Sequence, residues 1–383
     1  MVQKQEQGLE FTPQEIAQQP ETWRGTFETL RARENDILKF LAGCGVTGPP
    51  AHRPVVFLIG AGSSDYIGQC LHLLLRSRWQ CEVFPVASTS VLTDFAEFVL
   101  TDRRYLWISI SRSGDSSEGV AVLERALAEC PHISHLLLSC NASGRMMKAV
   151  EGRANCLAIV LDDRTNDRGL AMTSSFSNIV VAGQALAHAG SMADYESALN
   201  TLCGAAESFL PQAATLASDL ARRGISRACF VGSGALAAAA TESALKLLEL
   251  TAGKVHAMAQ QTLALRHGPM AALDRETLLV NFVSSQAQRR RYDLDLLREI
   301  GRKGLVNVRI AVATRDAEGL RGEAEYVLAP HYAGDIPDLC RPVLDVIFAQ
   351  LLGLFSSMHY GLKPDSPSPN GAISRVVESV GIY

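Results

Sequence analysis

The feature that most constrains this chain is an alternation of short apolar runs with longer helical patterns, met twice. "VVFLIG" at 55–60 is a continuous apolar run closed by a glycine, and a helical pattern follows from about Asp65 to Arg78. "CEVFPVA", "YLWISI", "HLLLSC" and "CLAIVL" are further runs of this kind, with a helical stretch near 90–100 and a helix over about Glu118–Glu129. Short apolar runs bounded by turn signals read as strands buried on both faces, and helices between them imply a parallel sheet covered on both sides. From residue 227 the pattern restarts with "RACFVG", a glycine loop at 233–235 and a helix over 235–252. "TLLVNFVSS", a helix over about 288–302, "NVRIAVAT", "AEYVLAP" and an apolar helix near 340–358 complete it, with no strand placed between 252 and 277.

The expected fold is therefore α/β, two doubly wound, mostly parallel sheets in tandem as a divergent repeat. Residues 1–38 read as an N-terminal helical extension, 39–205 as the first domain, and 206–383 as the second domain with a C-terminal tail. A mainly helical stretch from about Thr173 to Leu220 joins the halves. "KPDSPSPNG" marks a loop before the tail, and its proline and serine content suits an exposed segment such as a flap.

Composition excludes several function classes. The chain has 383 residues, 47% hydrophobic and 20% charged, with a net charge of −4. That balance indicates neither a nucleic-acid footprint nor a polybasic membrane surface, so neither partner is expected. No apolar run reaches membrane-spanning length, and the polar N-terminus lacks a signal-peptide core, so a cytoplasmic protein is expected. The nine cysteines are an odd number with no C-x-x-C pair and mostly apolar neighbours, which points to buried reduced thiols. There is no H-E-x-x-H, and His132 and His135 have no third ligand nearby, so no metal site is expected.

Ligands of an open parallel sheet sit outside the carboxyl ends of the strands. Three such loops carry hydroxyls: Ser63 and Ser64; Ser111, Ser113, Ser116 and Ser117; and Thr173, Ser174 and Ser175. Gly60 and Gly62 begin a dinucleotide fingerprint, but Asp65 stands at its third position, and Glu82 opens a strand rather than ending one. Gly232, Gly234 and Ala237 fit the fingerprint better, yet no following strand ends in an acidic residue. Serine is also a good helix cap, which explains one such loop but not three. Hydroxyls beside helix N-termini suit a phosphate monoester, and Gly114 lets the chain wrap close to it.

In the second half, Glu242, Lys246 and Glu249 share one face of a helix through spacings of four and three. Such a trio is either a solvated Glu–Lys ladder or an acid–base cluster. His267 precedes Gly268-Pro269, a turn able to fix an imidazole, although a lone histidine is more often structural.

The order G-x-G-S-S, S-x-S-G-D-S, E-S-A-L-K-x-x-E, R-H-G-P resembles the sugar isomerase (SIS) domain family. "DRGLAMTSS", "ESALKLLELTAGK", "RHGP" and "YDLDLL" resemble its AgaS type, the galactosamine-6-phosphate deaminase/isomerases also called tagatose-6-phosphate ketose/aldose isomerases. The chain is also similar to the isomerase half of glucosamine-6-phosphate synthase. The resemblance covers nearly the whole chain. It implies that Ser111, Ser113 and Ser116 hold a 6-phosphate, helped by Ser63 and Ser64, with Thr173 and Ser174 near the sugar. It assigns the C1–C2 proton transfer to Glu249, ring opening to His267 from a neighbouring subunit, and a place near O1 to Lys246. Arg112 stands where the synthase has glutamine, and Ser374, with Arg375 beside it, falls where the synthase has an active-site lysine.

The implied reaction converts D-galactosamine 6-phosphate to D-tagatose 6-phosphate and ammonia, at one site per chain, in a homodimer or dimer of dimers, with no metal or redox cofactor. A plain aldose–ketose isomerase and a glucosamine-6-phosphate deaminase are the alternatives among enzymes. A phosphosugar-sensing regulator is the alternative outside them.

Overall fold

The computed structural model describes residues 2–314, 318–376 and 381–382. The first sheet contains β1 (Val55–Gly60), β2 (Val83–Ala87), β3 (Tyr105–Ser111), β4 (Ile133–Ser139) and β5 (Cys156–Val160), in the order β2-β1-β3-β4-β5. The second contains β6 (Arg227–Gly232), β7 (His256–Gln261), β8 (Thr277–Phe282), β9 (Val308–Val312) and β10 (Tyr326–Leu328), in the order β10-β9-β8-β6-β7. Every pairing between these strands is parallel. Read from β7, the second order matches the first strand for strand.

One strand escaped the sequence pattern. β7, "HAMAQQ", pairs only with β6 and is half-buried along its length. An edge strand needs no continuous apolar run, and this one lacks the β-branched residues that mark a strand.

The chain divides into two compact units made of non-contiguous segments. The first-sheet unit comprises Glu21–Asp167, Ser174–Ser197 and Ile373–Tyr383, and the second-sheet unit Met1–Pro20, Arg168–Thr173 and Ala198–Ala372. The boundaries expected at 38 and 205 fall inside the helices Glu34–Gly43 and Met192–Arg222.

Each unit owes its core to the doubly covered sheet. In the first, Phe57, Ile59, Tyr105, Trp107 and Ile133 line one face under Val122 and Ala126 of the helix Ser117–Glu129. The helix Ser174–Ala187 is buried along its entire length. In the second, Leu279, Val283 and Ala311 pack under Leu296, Leu297 and Ile300 of the helix Ala287–Lys303. The apolar helix Pro342–His359 is long and apolar enough to cross a membrane, but 83% of it is buried within the protein, which marks it as a core helix. It packs against the helix Ala235–Leu250. Gly353 makes that approach possible, since a Cβ there would lie 2.7 Å from Leu250 Cδ1 and 3.2 Å from the Lys246 carbonyl.

All nine cysteines are free thiols, and all but Cys156 are buried. Burial pushes Cys140 and Cys229 up to about 12, so both stay protonated and unreactive at neutral pH. The "KPDSPSPNG" loop is pinned rather than loose. The Asp365 carboxylate accepts hydrogen bonds from the N–H groups of Glu10 (2.7 Å) and Thr12 (2.8 Å) and from the Thr12 hydroxyl (2.8 Å).

Candidate active site

In the first-sheet unit, β1 ends at Gly60 and the helix Ser63–Trp79 begins three residues later. A Cβ on Gly60 would meet the Ser64 backbone at 2.5 Å, and Gly62 has φ +56°, a conformation that disfavours other residues. The two glycines bring the first helical turn over the strand end. Ser63 and Ser64, both buried, sit in that turn.

The serine loop follows β3, the strand that pairs directly with β1, at the same edge of the sheet. Ser111 Oγ accepts a hydrogen bond from Gly114 N (2.9 Å), and Ser113 Oγ accepts one from Asp115 N (3.2 Å). Asn141 Nδ2 donates to the Ser113 carbonyl (2.7 Å), and the Asp115 carboxylate accepts from Arg145 N (2.9 Å). The loop is thus braced from behind by the β4 exit. Ser116 opens the helix Ser117–Glu129 without spending its hydroxyl on a capping bond, and Ser116 and Ser117 are only half-buried. Their hydroxyls and the first N–H groups of a 13-residue helix form a donor surface suited to a phosphate.

Arg112 is buried beside this surface and donates to the Arg375 carbonyl. Arg375 in turn donates to the Asp167 carbonyl (2.7 Å) and Asn166 Oδ1 (2.6 Å). Ser374 itself is exposed. The arginine that the sequence singled out is therefore held by the tail segment that the sequence also singled out.

The third hydroxyl loop is placed differently. Thr173 and Ser174 are fully buried, so in this conformation neither reaches a ligand. The N–H groups of Ser174 and Ser175 already donate to the Asp167 carboxylate, at 3.0 and 2.8 Å. This helix N-terminus is filled from within.

In the second-sheet unit, the helix Ala235–Leu250 carries the charged trio. Glu242 and Lys246 have no exposed side-chain surface, while Glu249 keeps 23% of its own. Lys246 Nζ lies 2.6 Å from Glu249 Oε2 and 3.3 Å from Glu242 Oε1. A solvated ladder is ruled out. Burial alone would pull the lysine pKa down, but the charges of Glu242 and Glu249 outweigh it and leave it above the ordinary value. The ammonium is enclosed and permanently charged, so it acts on any ligand through Glu249, whose carboxylate alone in the trio meets solvent. His267 is exposed after a 3₁₀ turn at Ala264–Arg266, and Gly268 beyond it has φ +119°.

No protein-family model matches the chain. Curated relatives do. It is 32% identical over 387 residues to the D-galactosamine-6-phosphate deaminase AgaS of Escherichia coli, covering 97% of this chain and 95% of that one. Its AgaS relative in Shewanella sp. (strain ANA-3) is 30% identical over 382 residues, covering 98% and 92%. The chain belongs to the AgaS family. The crystal structure of tagatose-6-phosphate ketose/aldose isomerase from Escherichia coli superposes with a TM-score of 0.85 at 30% identity, over 97% of this chain and 96% of that one.

Within this AgaS-family chain, sequence reasoning found the serine loop and the charged trio but missed Asn141, Asn166 and Asp167. Asp167 lies seven residues before the Ser174 N–H it accepts from. Local capping patterns do not span that distance. Asn141 and Asn166 act through tertiary contacts that leave no spacing signal.

Proposed function

We propose that the protein is an amino-sugar-phosphate deaminase/isomerase that converts D-galactosamine 6-phosphate to D-tagatose 6-phosphate and ammonia. Full-length membership of the AgaS family supports the substrate class. The observation that carries the mechanism is the partly exposed Glu249 carboxylate backed by an enclosed, charged Lys246. A general base needs both access to the substrate and a fixed position.

In this reading Ser63, Ser64, Ser111, Ser113 and Ser116 hold the 6-phosphate, with Arg112 adding charge. His267 assists ring opening, releasing the aldehyde at C1. Glu249 removes the C2 proton while O1 is protonated, giving an enolamine. It then returns the proton to C1, leaving a hydroxymethyl group at C1 and an imine at C2. Water hydrolyses the imine to the ketone and releases ammonia. Thr173 and Ser174 join the sugar contacts only in a conformation that exposes them.

Incubating the purified protein with galactosamine 6-phosphate, glucosamine 6-phosphate and unphosphorylated galactosamine tests this reading. Ammonia and a ketose 6-phosphate from the first, with far slower turnover of the others, are expected. Interconversion of aldose and ketose phosphates with no ammonia from any amino sugar would leave the plain isomerase, the reading that the name of the solved Escherichia coli relative favours.

The same proposal makes the working form a homodimer in the cytoplasm, with His267 serving the neighbouring subunit. Hybrid dimers of Glu249→Gln and His267→Ala chains should then regain activity that neither parent has. No recovery after confirmed subunit exchange would place the whole site in one chain.

A further inference from the structure

The second sheet has its own counterpart of the serine loop, and a carboxylate from the same unit fills it. The counterpart follows β8 as the serine loop follows β3, running through Val283–Gln286 into the 17-residue helix Ala287–Lys303. The Asp338 carboxylate accepts hydrogen bonds there from Ser285 N (2.9 Å), Ser285 Oγ (2.8 Å) and the Ser284 hydroxyl. Arg341 Nη1 lies 3.4 Å from it and Arg289 Nη1 3.8 Å. A backbone N–H, two hydroxyls and two guanidinium groups at a helix N-terminus are the donor set that phosphates take. Arg341 is completely buried, and its Nε has no hydrogen-bond partner among the described residues. Asp338 itself is only 6% exposed.

We propose that the second-sheet unit contains a phosphate-type anion site that Asp338 keeps permanently occupied, and that removing this carboxylate opens it to inorganic phosphate. Asp338 then has a purpose beyond stability. It denies a sugar phosphate a second, unproductive berth, so that the chain takes one phosphate rather than two. Burial would raise the Asp338 pKa, but Arg341 and the serine hydrogen bonds outweigh it and hold the carboxyl below its usual range, as an occupant serving as a fixed anion requires.

The test compares the parent with Asp338→Ala, and with Asp338→Asn, which fills the same space without charge. Equilibrium dialysis with labelled inorganic phosphate should show one more phosphate per chain for Asp338→Ala than for the parent, and no gain for Asp338→Asn. In phosphate-free buffer Asp338→Ala should melt several degrees lower. Millimolar phosphate should raise its melting temperature by about 5 °C more than that of the parent, with chloride at equal ionic strength doing nothing. If Asp338→Ala does not fold without phosphate, refolding yield in phosphate against chloride reads the same question. A folded Asp338→Ala with the parent's stoichiometry and phosphate response overturns the proposal, as does refolding that phosphate does not improve. The parent's own phosphate count tests the serine loop separately, because only the increment belongs to this site.

Discussion

At the end of β1 the chain turns through Gly60, Ala61 and Gly62 into Ser63 and Ser64. At the end of β6 it turns through Gly232, Ser233 and Gly234 into Ala235 and Leu236. The two turns are nearly superimposable in conformation, Gly62 at φ +56° and ψ −128°, Gly234 at φ +61° and ψ −128°. In each, a Cβ on the first glycine would strike the helix backbone four residues on, at 2.5 Å. The backbone is repeated because sterics permit nothing else there. The side chains that follow are not: hydroxyls after the first turn, an alanine and a leucine after the second. The loops after β3 and β8 diverge in the same sense, one presenting half-exposed serines and the other closed by Asp338. The two units share the frame, while the half-exposed serines belong to one and the buried charged trio to the other.

That division of labour can be broken by experiment. The second-sheet unit should govern turnover and the first-sheet unit binding. Glu249→Gln should lower kcat by roughly a hundredfold to ten-thousandfold with KM little changed, the loss expected when a general base is removed. It should also stop exchange of the substrate C2 proton with solvent deuterium. Near-normal turnover would leave the proposed chemistry without its base.

Lys246→Met leaves Glu242 enclosed with no cation. It should cost about 3–5 kcal/mol of stability in urea unfolding, part of which Lys246→Met combined with Glu242→Leu recovers. A single variant as stable as the parent would mean that the trio is not the closed ionic cluster described.

The units should also answer pH in opposite senses. His135, in the first-sheet unit, is buried against the edge of Trp107, at 5.8 Å between ring centroids, and burial lowers its pKa to about 4. The unfolded chain takes up a proton near the usual 6.5 while the folded one does not. Stability from this group is therefore complete above pH 6.5 and is lost as pH falls toward 4, by about 3 kcal/mol. Asp345, in the second-sheet unit, is raised by burial to about 6, even against the opposing charge of Arg341. The folded chain holds that proton longer, so its contribution is lost as pH rises from 3.8 to about 6. All three tryptophans, Trp23, Trp79 and Trp107, belong to the first-sheet unit, so indole fluorescence reports that unit alone. Its unfolding midpoint should drop between pH 6.5 and 4, and His135→Leu should flatten the drop. An unchanged profile in His135→Leu would assign the acid sensitivity elsewhere.

The smallest effect is on binding. Ser116→Ala should raise KM roughly ten- to a hundredfold with kcat nearly constant, since one hydrogen bond to a charged group is worth about 1.5–3 kcal/mol. A fall in kcat instead would move the serine loop from anchoring to chemistry.

Much of this was legible in the sequence, for definite reasons. Nine of the ten strands announced themselves as apolar runs, the interior ones because doubly covered parallel strands have no polar face; β7, at an edge and without β-branched residues, did not. The trio's spacing was legible, but its burial was not, because Glu242, Lys246 and Glu249 follow the same periodicity in a wet ladder as in a core. The available hint was the near absence of polar residues elsewhere in "ALAAAATESALKLLEL". The carboxylates that fill helix ends and turns were invisible. Asp338 lies 53 residues from Ser285 and Asp365 353 residues from Thr12, and tertiary folding alone brings them together.

The enclosure of Lys246 carries one further consequence. An amine held protonated by two carboxylates and walled off from solvent is a poor nucleophile, so no Schiff base between it and a sugar carbonyl is expected. The carbon–nitrogen bond that breaks must be the substrate's own. Borohydride added during turnover then has no covalent enzyme–sugar adduct at this lysine to trap.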